Sequence, residues 1–258
     1  YTMRSIIILI AIFALSLLTA CSSDEASTVT STPTNFSGEK VDMGNGQVWS
    51  VVNTDTDGNP KSIGVSFDAT AMQNLPTGGA HAHEFVVPLP QEIDVPPYDH
   101  LTVDWNAHSH EPPGVYDIAH FDLHFYMMSQ TERDAITPES TQGFNEPLPA
   151  NYLPPMYLET PGGVPRMGAH IIDLLSPEIA GTGTFTHTFI YGKFDGAINF
   201  LEPMITREFL ETRAAVNKEI RQPSDWQMSG YYPQRYTVTF DDQNQVYTVL
   251  LAGLYKKD

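Results

Sequence analysis

Histidines and carboxylates concentrate in residues 99–128. Five of the nine histidines fall in this stretch, namely His100, His108, His110, His120 and His124, among acidic residues that include Asp104, Glu111, Asp117 and Asp122. From His120 to Tyr126 polar and apolar residues alternate, so a strand would place His120, Asp122 and His124 on one face. Two imidazoles with a carboxylate between them suit either a transition-metal site or a hydrogen-bonded polar cluster.

Two H-x-H-E segments precede this strand. The first contains His81, His83 and Glu84, and the second contains His110 and Glu111 in a predicted loop. On a strand, His81 and His83 would share a face. The first segment resembles the first metal motif of cupins, although Glu84 follows His83 directly and would point to the opposite face. A polar loop leading into the next strand is the alternative interpretation.

A further histidine follows a proline-rich and glycine-containing approach. His170 ends the segment from Val164 to His170, which resembles the second cupin motif with a spacing that differs by one residue. Asp173 is predicted to orient His170 as a hydrogen-bonded partner. Met167 is a potential thioether ligand that keeps copper among the candidate metals, although methionine is more often a core residue. We expect His187 to face solvent from a strand.

These positions predict one metal site. Its expected ligands are His110, His120, His124 and His170, with Glu111 completing the coordination or acting as a base and with supporting or alternative ligands among His81, His83, Asp122, Asp173 and Met167. Imidazole ligands suit Zn, Cu, Fe or Ni. The alternative is a buried structural network of His and Asp pairs. Carbohydrate binding through Trp49, Trp105 or Trp226 is supported only by the presence of aromatic residues.

The N-terminus has the pattern of an export signal. Arg4 precedes an apolar run from Ile6 to Leu18, which is short for a membrane span and predicts a signal peptide over residues 1–20. Leu18-Thr19-Ala20-Cys21 resembles the lipobox of bacterial lipoproteins, which implies lipidation of Cys21. Because Ser22 rather than aspartate follows Cys21, the lipobox resemblance implies the outer membrane of a two-membrane bacterium, on its periplasmic or surface face, or otherwise the cell surface. Residues 21–45 are predicted to be a flexible tether between the lipid anchor and the domain.

Composition excludes several classes of function. Cys21 is the only cysteine, so disulfides and cysteine-ligated zinc are not expected in the mature domain. The formal net charge of −18 argues against nucleic-acid binding, which requires a basic surface. No glycine-rich phosphate loop and no G-x-S-x-G motif is present.

The elements that must position the histidines are mostly short strands. Strands are predicted around residues 48–52, 63–67, 101–105, 118–128, 184–191, 197–201, 235–240 and 246–254, with residues 55–60 as a turn rather than a calcium loop. Thr206 to Arg221 is predicted to form a helix, and Thr137 to Pro165 a long loop. Residues 46–258 are therefore expected to form a single all-β domain, an antiparallel sandwich or barrel that could be jelly-roll or cupin-like.

Several motifs together resemble a family of exported bacterial proteins classed as a domain of unknown function. They are Asp104-Trp105-Asn106, His110-Glu111-Pro112, Gly114-Val115-Tyr116-Asp117, His120 to Tyr126, Val164 to His170, Phe189-Ile190-Tyr191-Gly192 and Glu202-Pro203-Met204. The resemblance extends from about Gly46 to Thr206. A tryptophan often follows the histidine of the M-G-x-H motif in that family, where this chain has Ile171. The resemblance implies an exported protein and assigns no activity.

The sequence thus favours a lipid-anchored envelope protein with a His-rich transition-metal site and an undefined activity. One alternative is a non-catalytic assembly or partner-binding protein with a buried polar core. Another is a metal-dependent, cupin-like hydrolase, decarboxylase or oxidase. The membrane is the expected partner through Cys21. Homo-oligomer formation and the identity of a small-molecule substrate stay open.

Overall fold

The computed structural model describes residues 32–78, 82–108 and 114–258, and this part of the chain is mostly β-structure. The strands are β1 (Asn35–Ser37), β2 (Val41–Met43), β3 (Gly46–Thr54), β4 (Pro60–Asp68), β5 (His83–Val87), β6 (His100–Asn106), β7 (His120–Tyr126), β8 (Tyr157–Glu159), β9 (Ala169–Asp173), β10 (His187–Phe194), β11 (Ala197–Thr206), β12 (Val216–Glu219), β13 (Gly230–Tyr232), β14 (Arg235–Asp241), β15 (Val246–Ala252) and β16 (Tyr255–Lys257). The short helices are α1 (Gln130–Asp134), α2 (Thr141–Asn145), α3 (Pro177–Ala180) and α4 (Arg207–Glu211). None of the helices in the described ranges has the length and apolar character needed to cross a membrane.

Two antiparallel sheets form a sandwich. The first sheet has the order β1-β3-β4-β15-β14-β12, with β2 also paired to β3, and the second has the order β5-β6-β7-β11-β10-β9-β8. Strands β13 and β16 form a separate pair. This arrangement confirms the predicted all-β fold and identifies it as a sandwich.

Alternation along the second sheet separates its two faces. Leu123 and Phe125 of β7 point inward and belong to the main hydrophobic core. Contacts between the sheets include Phe67 with Phe121, at a ring-centroid distance of 6.1 Å, and Phe189 with Tyr236, at 5.8 Å. The outer face of the same sheet carries the histidines and acids of β6, β7 and β11.

The outer face is also buried, because other segments pack over it. Tyr116, Phe185, Ile190 and Met204 form a second, smaller apolar cluster there. Helix α1 adds Arg133, which is only 2% exposed. Polar groups on this face are therefore removed from bulk water, where unpaired charge is costly.

Several predicted elements are confirmed. The turn after β3 is held by Asp55, whose Oδ1 accepts hydrogen bonds from the backbone N–H groups of Asp57 (3.0 Å) and Asn59 (2.9 Å). The closing hairpin is β14 and β15, paired from Arg235 with Ala252 to Asp241 with Val246. Helix α1 begins with a capping box between Ser129 and Glu132.

The predicted helix over residues 206–221 is wrong beyond its first turn. Helix α4 ends at Glu211, Arg213 has a φ of 59°, and Val216–Glu219 forms β12 at the edge of the first sheet. Val216 and Ile220 lie on one face at strand spacing as well as at helical spacing, and both are buried. Pairing with β14 therefore overrides helix propensity.

The start of the folded region also differs from the predicted boundary. Strands β1 and β2 lie within residues 21–45, the segment predicted to be a tether. Phe36 pairs with Val52 and Val41 with Val48, so β1 and β2 each pair with a different part of β3 in the first sheet. Edge strands can form with few apolar residues because many of their side chains stay exposed, as in β1 and β2. The low apolar content of this segment therefore gave no signal for a strand.

Candidate metal centre

Strand register brings acidic and imidazole side chains together on the outer face of the second sheet. Between β6 and β7, Asp104 pairs with Asp122 and Thr102 with His124. Strand β11 lies on the other side of β7, and its register places Glu202 beside His124. Because side chains alternate along each strand, these groups project to the same side.

One carboxylate oxygen of Glu202 faces two imidazoles. Glu202 Oε2 lies 3.5 Å from His124 Nε2 and 3.8 Å from His170 Nε2. The side chains of Glu202 and His124 are 2% and 0% exposed, whereas that of His170 is 24% exposed. Glu202 Oε2 is buried and accepts no hydrogen bond from any described residue. The three side chains therefore converge on one point that opens toward His170.

A glycine makes this convergence feasible across the sheet. Gly192 of β10 pairs with both His170 of β9 and Phe200 of β11. A Cβ at Gly192 would lie 1.9 Å from the Phe200 ring. That ring contacts His124 at a centroid distance of 5.1 Å and His170 at 5.8 Å, both in edge-on geometry. The missing side chain at Gly192 leaves room for the Phe200 ring, which contacts both imidazoles.

The second nitrogen of His124 is oriented by oxygen atoms. His124 Nδ1 lies 3.2 Å from Thr102 Oγ1 and 3.4 Å from Asp104 Oδ2. An oxygen partner at Nδ1 favours a proton on that nitrogen, which leaves the lone pair of Nε2 directed toward Glu202. Such an arrangement is typical of histidines that bind metals through one nitrogen.

His120 belongs to an adjoining pair with Asp122. Its Nδ1 lies 2.5 Å from the Ile118 carbonyl oxygen, and its Nε2 lies 3.2 Å from Asp122 Oδ1. Asn106 Nδ2 donates a 2.6 Å hydrogen bond to the other oxygen of Asp122. Residues four positions apart on a strand are separated by roughly 13 Å along its axis. The structure therefore places His120 and His124 in neighbouring groups rather than around a single centre.

Burial shifts the acids of this face toward their neutral forms. Removal from water, reinforced by the nearby Asp122 charge, raises the pKa of Asp104 to about 8. Burial also raises the pKa of Glu202 well above its ordinary value, with further contributions from Asp122 and Asp104. The charge of Asp122 thus disfavours ionisation of both Asp104 and Glu202, which share the buried region with it.

Other predicted site residues lie elsewhere. His83 pairs with Trp105 on the inward-facing side of β5, and its Nε2 contacts the Gly78 carbonyl oxygen at 2.6 Å. Asp173 does not orient His170, because it lies on the opposite face of β9 and forms an ion pair with Arg221. The backbone oxygen of Met167 accepts a 2.7 Å hydrogen bond from Asn199 Nδ2.

The expectation that His187 faces solvent is wrong. Its Nδ1 lies 2.8 Å from Tyr236 Oη of the first sheet, and its ring packs against Phe209 at a centroid distance of 4.8 Å. Burial, with a contribution from Lys218, lowers the pKa of His187 to about 4. His81, His110, Glu111 and Cys21, which were also predicted to have site or anchoring roles, lie outside the described residues.

Sequence reasoning gave no site role to Glu202 or Arg133. Glu202 interrupts the otherwise apolar run Phe200-Leu201-Glu202-Pro203-Met204, and a buried acid in such a run is the signal that identifies it. Arg133 lies in a short helix with no motif around it. The position of its guanidinium depends on contacts with Glu84 and Arg166, which are distant in the sequence.

No group of three or more His, Cys, Asp or Glu side chains within residues 32–78, 82–108 and 114–258 stands close enough to hold a metal ion. Around Glu202 Oε2, the Nε2 atoms of His124 and His170 lie 3.5 and 3.8 Å away. A bound ion would therefore have to draw His124, His170 and Glu202 together.

A family model described as TTHB210-like, hypothetical protein TTHB210, matches residues 55–105. The matched segment contains β4, β5 and most of β6, and includes Thr102 and Asp104 but not the residues around Glu202. Over this segment the chain is similar to a family of hypothetical proteins, which agrees with the expected uncharacterised family. The chain matches no protein with a curated description and no solved structure.

Proposed function

We propose that the protein binds a single transition-metal ion between His124, His170 and Glu202. The observation that supports this most strongly is the buried Glu202 Oε2, which faces both Nε2 atoms and has no hydrogen-bond donor among the described residues. Two imidazoles and one carboxylate suit Fe, Zn, Cu or Ni and leave coordination positions for water or substrate.

The separations match the spacing of metal ligands better than that of hydrogen-bonded pairs. Ligand atoms at ~2.1 Å from a tetrahedral ion lie roughly 3.4 Å from one another. The distances around Glu202 Oε2 are 3.5 and 3.8 Å, whereas N–H···O hydrogen bonds are about 2.9 Å long. A bound ion would draw Glu202 Oε2 and the two Nε2 atoms toward itself.

Electrostatics also favours a cation at this position. Asp104, Asp122 and Glu202 share a buried face, and burial raises the pKa of both Asp104 and Glu202. A divalent ion would stabilise the ionised forms and replace mutual repulsion with attraction. The cost of burying these acids is easier to explain if they surround a cation than if they only fill space.

The neighbouring residues suit proton transfer. A bound metal would polarise a substrate or lower the pKa of a coordinated water. Asp122 lies two residues from the proposed ligand His124 on β7, and its Oδ1 lies 3.2 Å from His120 Nε2, on the side away from His124 along the strand. The side chains of Asp122 and His120 can accept a proton from a group at the centre and pass it along this pair. Export and lipidation at Cys21 stay predictions from the N-terminal sequence; with them, the proposed metal-dependent activity would belong to the cell envelope.

The second candidate is a structural polar network without metal. It is favoured by the hydrogen bonds that connect Asn106 with Asp122 and Thr102 with His124. In that case the cluster would fix the packing of β6 and β7, and Asp104 and Glu202, whose pKa values are raised, would stay protonated at neutral pH.

Metal content measured by plasma mass spectrometry tests these alternatives. Purified protein is compared with H124Q and E202Q, which remove one proposed ligand each at similar size. H83Q is the matched control, because His83 lies on the same sheet but faces the other side. Reconstitution with Zn, Cu, Fe and Ni precedes removal of unbound ions.

The proposal predicts about one equivalent of one metal in the parent protein and H83Q. H124Q and E202Q should retain far less while showing the circular dichroism spectrum of the parent. An empty parent protein after reconstitution, or equal loading in all four proteins, contradicts the proposal and favours the structural network.

A further inference from the structure

Beside the proposed metal centre lies a group of buried polar atoms whose hydrogen-bonding capacity is unused. Arg133 Nη1 and Tyr126 Oη are both buried, and neither has a hydrogen-bond partner among the described residues. The Arg133 side chain is 2% exposed and Tyr126 is fully buried. Buried donors without partners are uncommon because each costs free energy, so such atoms are often reserved for a ligand or an ordered water.

The two groups are adjacent. The Arg133 guanidinium carbon lies 4.3 Å above the centre of the Tyr126 ring. On that outer face, Tyr126 also stacks with His124, at a centroid distance of 5.4 Å and an interplanar angle of 19°. Only one aromatic ring therefore separates the guanidinium from a proposed metal ligand.

The rest of the guanidinium is held firmly in place. Arg133 Nε donates a 2.6 Å hydrogen bond to the Arg166 carbonyl oxygen, and Arg133 Nη2 binds Glu84 Oε2. Arg166 in turn binds the other Glu84 oxygen at 3.1 Å. With Nε and Nη2 engaged, Nη1 is the remaining donor of a preorganised fork.

We propose that Arg133 Nη1 and Tyr126 Oη bind the carboxylate of a small organic acid whose reacting end lies at the metal centre. This inference rests on the proposed function, since the metal centre supplies the reaction site. Binding of the carboxylate at the subsite can nevertheless be measured separately from binding of the metal. The subsite would fix the orientation of the acid through a charge-assisted hydrogen bond from arginine and a second bond from the phenol.

A carboxylate fits better than a phosphate. Two donors match the two oxygens of a planar carboxylate, whereas a phosphate would demand more positive charge. Asp104 and Glu202 lie close enough to influence the pKa of Tyr126, and Arg133 and Arg166 already share Glu84. The site therefore offers little excess positive charge.

Calorimetric titration of the zinc-loaded protein with propionate and benzoate, and with their neutral amides, tests the subsite. The main variant is Y126F, which removes only the unused hydroxyl. Y191F is the matched control, because Tyr191 is buried on the other face of the same sheet and its hydroxyl donates a 2.8 Å hydrogen bond to the Arg221 carbonyl oxygen. R133K is a second variant that keeps the charge but loses the fork.

At least one acid should bind the parent protein and Y191F, and its amide should not. Y126F and R133K should weaken acid binding by about tenfold or more, since hydrogen bonds to charged groups are the stronger ones. Y126F should unfold at the same denaturant concentration as the parent or a higher one, while Y191F unfolds at a lower one.

Metal content, measured on the same samples, separates the two proposals. If Y126F contains as much zinc as the parent protein but binds the acid more weakly, the subsite is supported. If the parent protein takes up no zinc on reconstitution but still binds an acid in a way that depends on Tyr126, the subsite is supported and the proposed metal centre is overturned. Equal affinity of Y126F and the parent protein, equal binding of acid and amide, or no binding of either acid overturns the subsite.

Discussion

Glu202 Oε2 and His124 Nε2 lie 3.5 Å apart on neighbouring strands, while the other nitrogen of His124 faces Thr102 and Asp104. This relationship makes His124 the link between a buried acid on β11 and an orienting pair on β6. It also separates His124 from His120, whose Nε2 faces Asp122. The two histidines of β7 should therefore respond differently to substitution.

H120Q and H124Q should differ in metal content. We expect H124Q to lose most of its bound metal, because Nε2 is a proposed ligand. H120Q should retain metal within about threefold of the parent affinity while its activity on any identified substrate falls by 10²-fold or more, as for loss of a proton-transfer group. Competition with a chromophoric chelator measures both affinities, and equal metal loss in the two variants would refute the separation.

The metal-free protein should lose stability as the pH rises from 6.5 to 8. The folded-state pKa of Asp104 is about 8 against an ordinary value of 3.8, so the folded state binds more protons across this range. Each proton difference lowers the unfolding free energy by up to about 1.4 kcal/mol per pH unit. The raised pKa of Glu202 acts in the same direction.

Urea denaturation at the two pH values, with chelator present, measures this effect. D104N should show a smaller fall in unfolding free energy than the parent protein. D241N is the control, because the carboxyl of Asp241 has a lowered pKa and is ionised in both states throughout this range. An equal fall in D104N and the parent would show that Asp104 does not bind a proton in this way.

His187 should give an opposite trend at lower pH. Its folded-state pKa of about 4 lies below the ordinary 6.5, so the unfolded state binds more protons between these values. Stability from His187 is present above pH 6.5 and is lost as the pH falls toward 4. H187Q should remove part of that loss, because glutamine does not bind a proton in this pH range. Identical acid profiles for H187Q and the parent would contradict the assignment.

G192A should disturb both packing and metal binding. A methyl group at this position would overlap the Phe200 ring, which contacts His124 and His170. We expect a loss of about 1–3 kcal/mol in unfolding free energy, typical of an overfilled core, with reduced metal content. G78A is the control because a Cβ there meets no atom within 4 Å. Parent-like metal content in G192A would show that Phe200 does not position the imidazoles.

Local patterns predicted the parts of the fold that depend on neighbours in sequence. The alternation from His120 to Tyr126 gave the strand and its polar face, both of which the structure contains. The site could not be derived in the same way. Glu202 reaches His124 only through the register of β11 with β7, and His170 reaches Glu202 only through β10. Such long-range pairing leaves no local signature in a single sequence.

The wrongly predicted helix illustrates the same limit. Val216 and Ile220 are four residues apart, a spacing that satisfies both a helix face and a strand face. Pairing of β12 with β14 in the first sheet, together with burial of both residues in the main core, decides in favour of the strand. The threonines that flank His187 favour a solvent-facing side chain, but Tyr236 and Phe209 from distant segments contact it.

Anomalous diffraction at the metal absorption edge, from crystals of the reconstituted protein, tests the central claim most directly. The predicted result is one strong peak within roughly 2.0–2.2 Å of Glu202 Oε2, His124 Nε2 and His170 Nε2. A fully reconstituted crystal with no peak at this position, or with its peak between other residues, would contradict the proposed centre.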